Sequence, residues 1–233
     1  MIDRLKQGFA DLSMEVTDEQ IQMLVRYGEL LVEWNEKMNL TAITDPIEIA
    51  EKHFLDSAMC LKCGISGSVI DVGTGAGFPG LVLKILKPDI KLCLLDSLQK
   101  RLTFLETVTN ELGLCDVEFV HARAEDGGRD KKLREKFDFA VARAVANLST
   151  LSEYCLPFVK QNGYFVAMKG PKAQQEIQDA KNALLKLGGQ AETVLEEKIP
   201  GTDLEHVIVS VKKVRQTPAQ YPRKAGKPSK EPL

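Results

Sequence analysis

The chain has 233 residues, a formal net charge of −2 and 44% hydrophobic residues, enough for one large core. The near-neutral charge argues against a uniformly basic nucleic-acid-binding protein, and no apolar run reaches the roughly 18 residues of a membrane span. Five cysteines, an odd number, are typical of a reducing cytoplasm rather than a disulfide framework. We expect a cytoplasmic monomer that contacts no membrane.

Residues 1–66 carry helical patterns. Thr17-Asp18-Glu19-Gln20 is typical of a helix start with a capping box, and apolar residues follow at helical spacing from position 21 to position 32. So wide an apolar surface has to pack against something larger. We therefore predict an all-helical cap. Cys60 and Cys63 form a single C-x-x-C within it, which indicates core packing rather than zinc, and no metal site is predicted.

A second helix start is predicted at Asp45-Pro46, since proline is favoured at the first helical position. His53 and Asp56 follow one turn apart. Two interpretations of this pair stay open. The two side chains share a hydrogen bond on a helix surface, or they form a polar pair that faces a ligand cleft.

The glycine-rich stretch after the cap is the clearest functional signal. A β-branched run, 68–72, is followed at once by Gly73, Gly75, Gly77 and Gly80, and then by an apolar helix pattern. Strand, tight turn and helix in this order place a ligand at the carboxyl end of a parallel strand. The last three glycines spell the G-x-G-x-x-G of dinucleotide-binding proteins, a weak signal by itself.

Asp71 distinguishes between two ligands that such a loop can bind, a dinucleotide and S-adenosylmethionine. A carboxylate two residues before Gly73 would repel a pyrophosphate, whereas it suits a cationic amino group. S-adenosylmethionine has an ammonium group and a ribose, and it has no phosphate. The sequence therefore favours a methyltransferase, with Asp71, Gly73, Gly75 and Gly77 at the cofactor.

Two further predicted strands are followed by acids. Strand 91–96 ends in Asp96, where an acidic residue can bind both ribose hydroxyls. Strand 117–120 is followed by Glu125, which is placed to accept a hydrogen bond from an adenine amino group. An ordinary acid at a helix N-terminus is the alternative for Glu125. Three acids after three successive strands favour the cofactor interpretation.

The rest of the main domain, residues 67–214, alternates between the two kinds of element. Helices are predicted at 99–112, 148–158 and 173–187, and strands at 137–141, 163–168, 191–199 and 206–214. This order predicts an α/β fold: a doubly wound, seven-stranded, Rossmann-like (class I) methyltransferase sheet with an antiparallel edge.

The loop 141–145, after strand four, lies where the methyl acceptor enters in this fold. It has neither the polar-Pro-Pro-aromatic turn suited to an exocyclic amine nor the cysteine nucleophile suited to a pyrimidine carbon. Guanine N7 has a free lone pair, so its methylation requires orientation and no proton removal. We expect no catalytic base, and we expect Arg143 near the target base.

Residues 215–233 are predicted to form a basic arm. Seven basic residues and no acidic one occur between Lys212 and Lys230, and four prolines from position 218 onward are expected to exclude regular structure. The alternative is a solvated tail. The residues expected to bind the phosphate backbone of a nucleic acid are Lys169, Lys172, Arg223, Lys224 and Lys227.

Several motifs along the chain resemble the bacterial glucose-inhibited division protein B family, S-adenosylmethionine-dependent guanine-N7 methyltransferases of 16S ribosomal RNA. The matching stretches are 39–41, 53–57, 71–80, 95–97, 100–101, 123–125, 142–146, 169–170 and 221–224. The resemblance implies cofactor contacts at Gly73, Phe78, Ala124, Glu125 and Arg143. It also implies S-adenosylhomocysteine as product and 16S ribosomal RNA, or an assembling small ribosomal subunit, as partner.

Two other functions stay open at this point. A nicotinamide-dependent oxidoreductase would use the G-x-G-x-x-G pattern together with Asp96. A non-catalytic nucleic-acid-binding protein would use the basic arm instead.

Overall fold

The computed structural model describes residues 1–143 and 146–233. Within these residues a seven-stranded sheet has the order β3-β2-β1-β4-β5-β7-β6, in which β1 to β5 are parallel and β7 is antiparallel to both of its neighbours. The strands are β1 (Ser68–Val72), β2 (Lys91–Asp96), β3 (Val117–His121), β4 (Phe137–Arg143), β5 (Val159–Lys169), β6 (Gly189–Lys198) and β7 (Glu205–Lys213). The predicted doubly wound sheet with an antiparallel edge is confirmed.

Helices account for the regular structure ahead of β1. They are α1 (Ile2–Asp11), α2 (Asp18–Met38), α3 (Pro46–Ile49), a π-helical turn (Ala50–Leu55), α4 (Asp56–Ala58) and a 3₁₀ turn (Met59–Cys63). The Thr17 side chain accepts from the Gln20 backbone N–H, and the Gln20 side chain accepts from the Thr17 backbone N–H. The predicted capping box is therefore present. Asp45 caps α3, which has Pro46 at its first position as predicted.

The remaining helices alternate with the strands. They are α5 (Gly80–Leu86), α6 (Gln99–Glu111), α7 (Ala124–Gly127), α8 (Leu148–Cys155), α9 (Ala173–Asp179), α10 (Lys181–Leu187) and α11 (Lys227–Lys230), with a 3₁₀ turn at Leu156–Phe158. The single helix predicted over 173–187 is two helices. Ala180 is the reason, because its ψ of −4° interrupts the helical hydrogen-bond ladder.

Alternating residues of β2 show how the sheet divides the interior. Leu92 and Leu94 belong to a core that includes the cap helices together with α5 and α6, whereas Cys93 and Leu95 belong to a second core that includes α8 and α10. Side chains of successive strand residues point to opposite faces, so both faces of the sheet are covered. The N-terminal helices therefore share a core with the sheet and cover one of its faces.

The C-terminal residues also differ from the prediction. Residues 227–230 form a short helix with Pro228 buried in its first turn, so the prolines do not exclude regular structure here. The physical reason is that the first turn of a helix does not use the N–H group that proline lacks. Among the described helices, none is both long and apolar enough to cross a bilayer.

Candidate active site

A cavity of about 520 Å³ lies at the carboxyl ends of β1 to β4. Its volume is within the usual range for small-molecule sites. Five predicted cofactor residues line it, namely Gly73, Asp96, Ala124, Glu125 and Arg143. The lining also includes residues that have no predicted role, among them Ser97, Arg101, Arg123, Tyr154, Gly226 and Ser229.

Asp96 is buried at the end of β2, and the chain fixes both of its carboxylate oxygens. Oδ2 accepts from the Gly75 backbone at 2.9 Å and from Arg101 at 3.3 Å, and Oδ1 accepts from the Leu98 backbone at 2.9 Å. Each oxygen has two lone pairs, and the carboxylate has capacity for about four bonds. Asp96 is thus oriented by the protein and retains acceptor capacity toward the cavity.

Asp71 lies beneath the glycine loop, outside the residues that line the cavity, and its contact with the cofactor stays a prediction. Its side chain is fully buried, and Oδ2 accepts from the Thr74 hydroxyl and the Gly80 backbone, each at 2.8 Å. A Cβ on Gly80 would lie 2.7 Å from that oxygen, so glycine is required for this close approach. Asp71 therefore fixes the shape of the loop.

The Asp71 charge nevertheless fits a cationic ligand. Burial raises the pKa of its carboxyl group to about 6, and Oδ1 has no hydrogen-bond partner among the described residues. A positive group in the adjacent cavity would stabilise the ionised carboxylate electrostatically. The sulfonium and ammonium groups of S-adenosylmethionine meet this requirement, whereas a pyrophosphate does not.

Gly75 and Gly77 also act within the loop. Gly75 donates its N–H to Asp96, as described above, and both glycines have positive φ, +60° and +97°. A Cβ on Gly77 would clash with the hydroxyl of Tyr27, a residue of α2 that donates to the Ala76 carbonyl. The cap therefore holds the loop in place, and the direct cofactor contacts of these two glycines stay a prediction.

Phe78 lies under Arg143 rather than on the cavity wall. Its ring stacks on His53 at 4.5 Å and on Tyr27 at 5.4 Å between centroids, and the guanidinium carbon of Arg143 lies 4.8 Å from its centre. A cation over an aromatic face is attracted by the ring quadrupole. Phe78 thus supports a residue of the cavity, and the cofactor contact implied by the resemblance stays a prediction.

Arg143, the last residue of β4, is held by the cap. Nη1 donates to the Lys52 carbonyl and to Asp56 Oδ2, each at 3.0 Å, and Nη2 lies 3.3 Å from His53 Nδ1. Asp56 is only 2% exposed, and its other oxygen contacts Nδ1 of His206 on β7. His53 and Asp56 are therefore not a pair on a helix surface, and they orient the arginine that lines the cavity.

His53 is neutral at physiological pH. Burial, followed by the Arg143 charge, lowers the pKa of its imidazole to about 4. Its Nδ1 lies 3.3 Å from Nη2 of Arg143 and 3.1 Å from the Lys52 carbonyl, and its Nε2 lies 2.9 Å from the Thr41 hydroxyl. The imidazole thus lies beside the guanidinium without adding a second positive charge.

The depressed pKa of His53 predicts a loss of stability in mild acid. Because the folded-state pKa, about 4, lies below the unfolded value, 6.5, the stabilising contribution is complete above pH 6.5 and is lost as pH falls toward 4. Between pH 7.5 and pH 5 we expect a loss of about 2 kcal/mol from this group, measured by urea unfolding. His53→Gln should remove that part of the pH dependence, and His121→Gln, at an exposed position, should keep it. Identical pH profiles for wild type and His53→Gln would contradict the assignment.

Glu125 joins the cavity to the C-terminal residues. Its buried side chain accepts from the Gly226 backbone at 2.8 Å through Oε1. Arg223 forms a bidentate pair with Glu153, whose side chain is fully buried, with bonds of 2.7 to 3.1 Å. Residues 217–233 are therefore packed on the domain, and neither a free arm nor a solvated tail describes them.

The five residues expected to bind RNA fall into two groups. Arg223 is engaged by Glu153, and Lys169 is buried and bound to Glu176 at 2.7 Å, so both have structural partners. RNA binding by these residues stays a prediction. Lys172, Lys224 and Lys227 are exposed.

Ala144 and Val145, within the loop expected to receive the target base, lie outside the described residues.

Cys60 and Cys63 lie in the 3₁₀ turn before β1. Burial raises the pKa of both thiols, that of Cys63 to about 11. Thiols of this kind stay protonated and pack as small apolar groups. No cluster of three metal-ligating side chains occurs among the described residues.

The sheet order, the glycine loop after β1 and the acids after successive strands define a class I S-adenosylmethionine-dependent methyltransferase. Solved structures show the same fold. A SAM-dependent methyltransferase from Aquifex aeolicus has a TM-score of 0.53 at 19% identity and covers 74% of this chain and 96% of its own. M. jannaschii TYW2, solved in complex with AdoMet, has a TM-score of 0.52 at 18% identity and covers 67% of this chain and 74% of its own.

The chain belongs to the rRNA small subunit methyltransferase G family, whose model matches residues 20–204. The ribosomal RNA small subunit methyltransferase G of Alkaliphilus oremlandii is 53% identical over 99% of this chain and 98% of its own length. The protein of the same name from Clostridium perfringens strain 13 is 50% identical over the same shares. The family resemblance drawn from the motifs is confirmed, and the oxidoreductase and the non-catalytic alternatives are set aside.

Proposed function

We propose that the protein transfers the methyl group of S-adenosylmethionine to N7 of a guanine in 16S ribosomal RNA. The observation that carries the proposal is the cavity that Gly73, Asp96, Glu125 and Arg143 line at the carboxyl edge of the sheet. The family supplies the RNA substrate, and the motif resemblance supplies the guanine. The protein is proposed to act as a monomer in the cytoplasm. Its substrate is either free 16S ribosomal RNA or the RNA of an assembling small subunit.

Four acidic or basic residues in or beside the cavity have distinct roles in this proposal. Asp96 accepts from the ribose hydroxyls and Glu125 from the adenine amino group, while the buried Asp71 charge favours the cationic end of the cofactor. The cofactor supplies an electrophilic methyl group on a sulfonium sulfur. Arg143 orients the acceptor base or its phosphate through a guanidinium that Asp56 and His53 hold in one plane.

Alignment of donor and acceptor is the main catalytic contribution in this mechanism. As the new N7–carbon bond forms, the electron pair of the breaking carbon–sulfur bond stays on sulfur, and no proton moves. The described residues that line the cavity include no histidine, lysine or cysteine that would titrate near neutral pH. Effective molarities from alignment reach about 10⁵ M or more, enough to account for much of the acceleration.

We therefore expect the rate of methyl transfer to show no general-base rise between about pH 6 and pH 9. Single-turnover assays with ribosomal particles would measure this rate, with protein stability followed at each pH so that unfolding is not mistaken for chemistry. His121→Gln is expected to keep the wild-type profile. A one-proton rise that disappears in His53→Gln would contradict the proposal.

The proposed function is tested directly on small ribosomal subunits from cells that lack the enzyme. These particles, and deproteinised 16S RNA, are incubated with the purified protein and methyl-labelled S-adenosylmethionine, and the modified nucleoside is identified by mass spectrometry. The expected product is 7-methylguanosine at one position. A methyl group on an exocyclic amine, or no incorporation into either substrate, would overturn the proposal.

A further inference from the structure

The C-terminal residues are anchored to the domain at several points before they reach the cavity. Arg134 donates to the carbonyls of Thr217 and Tyr221 at 2.7 and 2.8 Å, and Arg129 donates to the Pro222 carbonyl at 2.8 Å. The ion pair of Arg223 with the buried Glu153 follows. Bidentate and charge-assisted bonds of this kind are the stronger class, so the path of the chain is fixed up to residue 223.

Beyond these anchors, the chain enters the wall of the cavity. Gly226 donates its backbone N–H to Glu125 Oε1, and both Gly226 and Ser229 line the cavity with Tyr154 of α8. The Thr150 hydroxyl, which is buried, donates to the Pro228 carbonyl at 3.1 Å and holds α11 against α8. Gly226 has a φ of +79°, a conformation that glycine adopts without strain.

We propose that residues 226–229 are part of the cofactor site and contact the adenosine half of S-adenosylmethionine. The inference rests on the proposed function, in which Glu125 accepts a hydrogen bond from the adenine amino group. The bond from Gly226 occupies Oε1 of that carboxylate and fixes the side chain, which leaves Oε2 for the ligand. Because Ser229 and Tyr154 line the same cavity, the ligand's adenosine half is enclosed between α7, α8 and α11.

Hydrogen exchange on the full-length protein tests this contact without any substitution. Saturating S-adenosylhomocysteine is expected to slow amide exchange in peptides that cover residues 224–230 about tenfold or more. The same slowing is expected with 5′-methylthioadenosine, which has the adenosine half alone, and not with methionine. The turn between β6 and β7, residues 199–204, serves as the internal reference. Unchanged exchange over 224–230 with bound ligand would overturn the proposal.

A matched pair of full-length variants gives the second test. Ser229→Trp places a bulky ring on the cavity wall and is expected to weaken S-adenosylhomocysteine binding about tenfold or more in titration calorimetry. Lys230→Trp adds the same ring at the neighbouring exposed position and is expected to keep the wild-type affinity. Equal affinities for the two variants would overturn the proposal. A wild-type protein that fails to bind S-adenosylhomocysteine would instead overturn the proposed function, so the two failures are distinguishable.

Discussion

Arg143→Lys is expected to lower the single-turnover rate of methyl transfer roughly 100-fold, the scale of a misplacement of about 1 Å at the reacting centre. The arginine makes three contacts with the cap, two through Nη1 and one through Nη2, while it lies over Phe78. Lysine keeps the charge, but it loses the planar fork that makes these contacts together. Affinity for S-adenosylmethionine, measured by calorimetry, is expected to change by about threefold or less.

Arg26→Lys is the matched control for this substitution. Arg26 also makes a forked contact, to Glu111 at 2.8 and 3.2 Å, but it lies on the exposed side of α2. Its replacement is expected to leave the rate unchanged, because exposed pairs contribute little. If Arg143→Lys retains full turnover with an intact fold, the fork does not orient the acceptor, and the cap contacts serve stability alone.

The sheet was largely predictable from the sequence because its signals are local. Apolar runs mark the strands, and glycines and acids mark their carboxyl ends, so Asp96 and Glu125 were both placed correctly on the cavity. Asp71 shows where such local signals end. It precedes the loop as an acid does in a ligand site, but its Oδ2 accepts from the Thr74 hydroxyl and the Gly80 backbone beneath the loop, which no local pattern indicates.

Other parts of the site depend on contacts between distant residues. Gly226 meets Glu125 across 101 positions of sequence, and Arg143 meets Asp56 across 87. Neither spacing leaves a periodic pattern. A single sequence therefore shows the basic composition of residues 215–233. It does not show that Arg223 pairs with Glu153, or that Gly226 and Ser229 line the cavity. His206, which contacts Asp56, was also missed for this reason.

Cofactor position and acceptor position are linked through the cap. Tyr27 supports the glycine loop on the cofactor side, and His53 with Asp56 supports Arg143 on the acceptor side, while Phe78 lies between the rings of Tyr27 and His53. A well-packed aromatic stack resists small displacements because its contacts are lost together. Under the proposed function, the cap would support both the cofactor side and the acceptor side of the site, in addition to covering one face of the sheet.

Asp96→Ala is expected to weaken S-adenosylmethionine binding by about 1.5–3 kcal/mol, roughly 10- to 150-fold, the range for deleting a charged hydrogen-bond partner. Two losses combine: the acceptor for the ribose hydroxyls, and the bonds that fix the Gly75 and Leu98 backbones. Asp138→Ala is the matched control, because Asp138 also binds a backbone N–H, that of Ser68 at 2.8 Å, but at the opposite end of the sheet. That control is expected to lose stability in urea unfolding and to keep cofactor affinity in calorimetry. Equal affinity in wild type and Asp96→Ala, with the fold intact by circular dichroism, would remove Asp96 from the cofactor site.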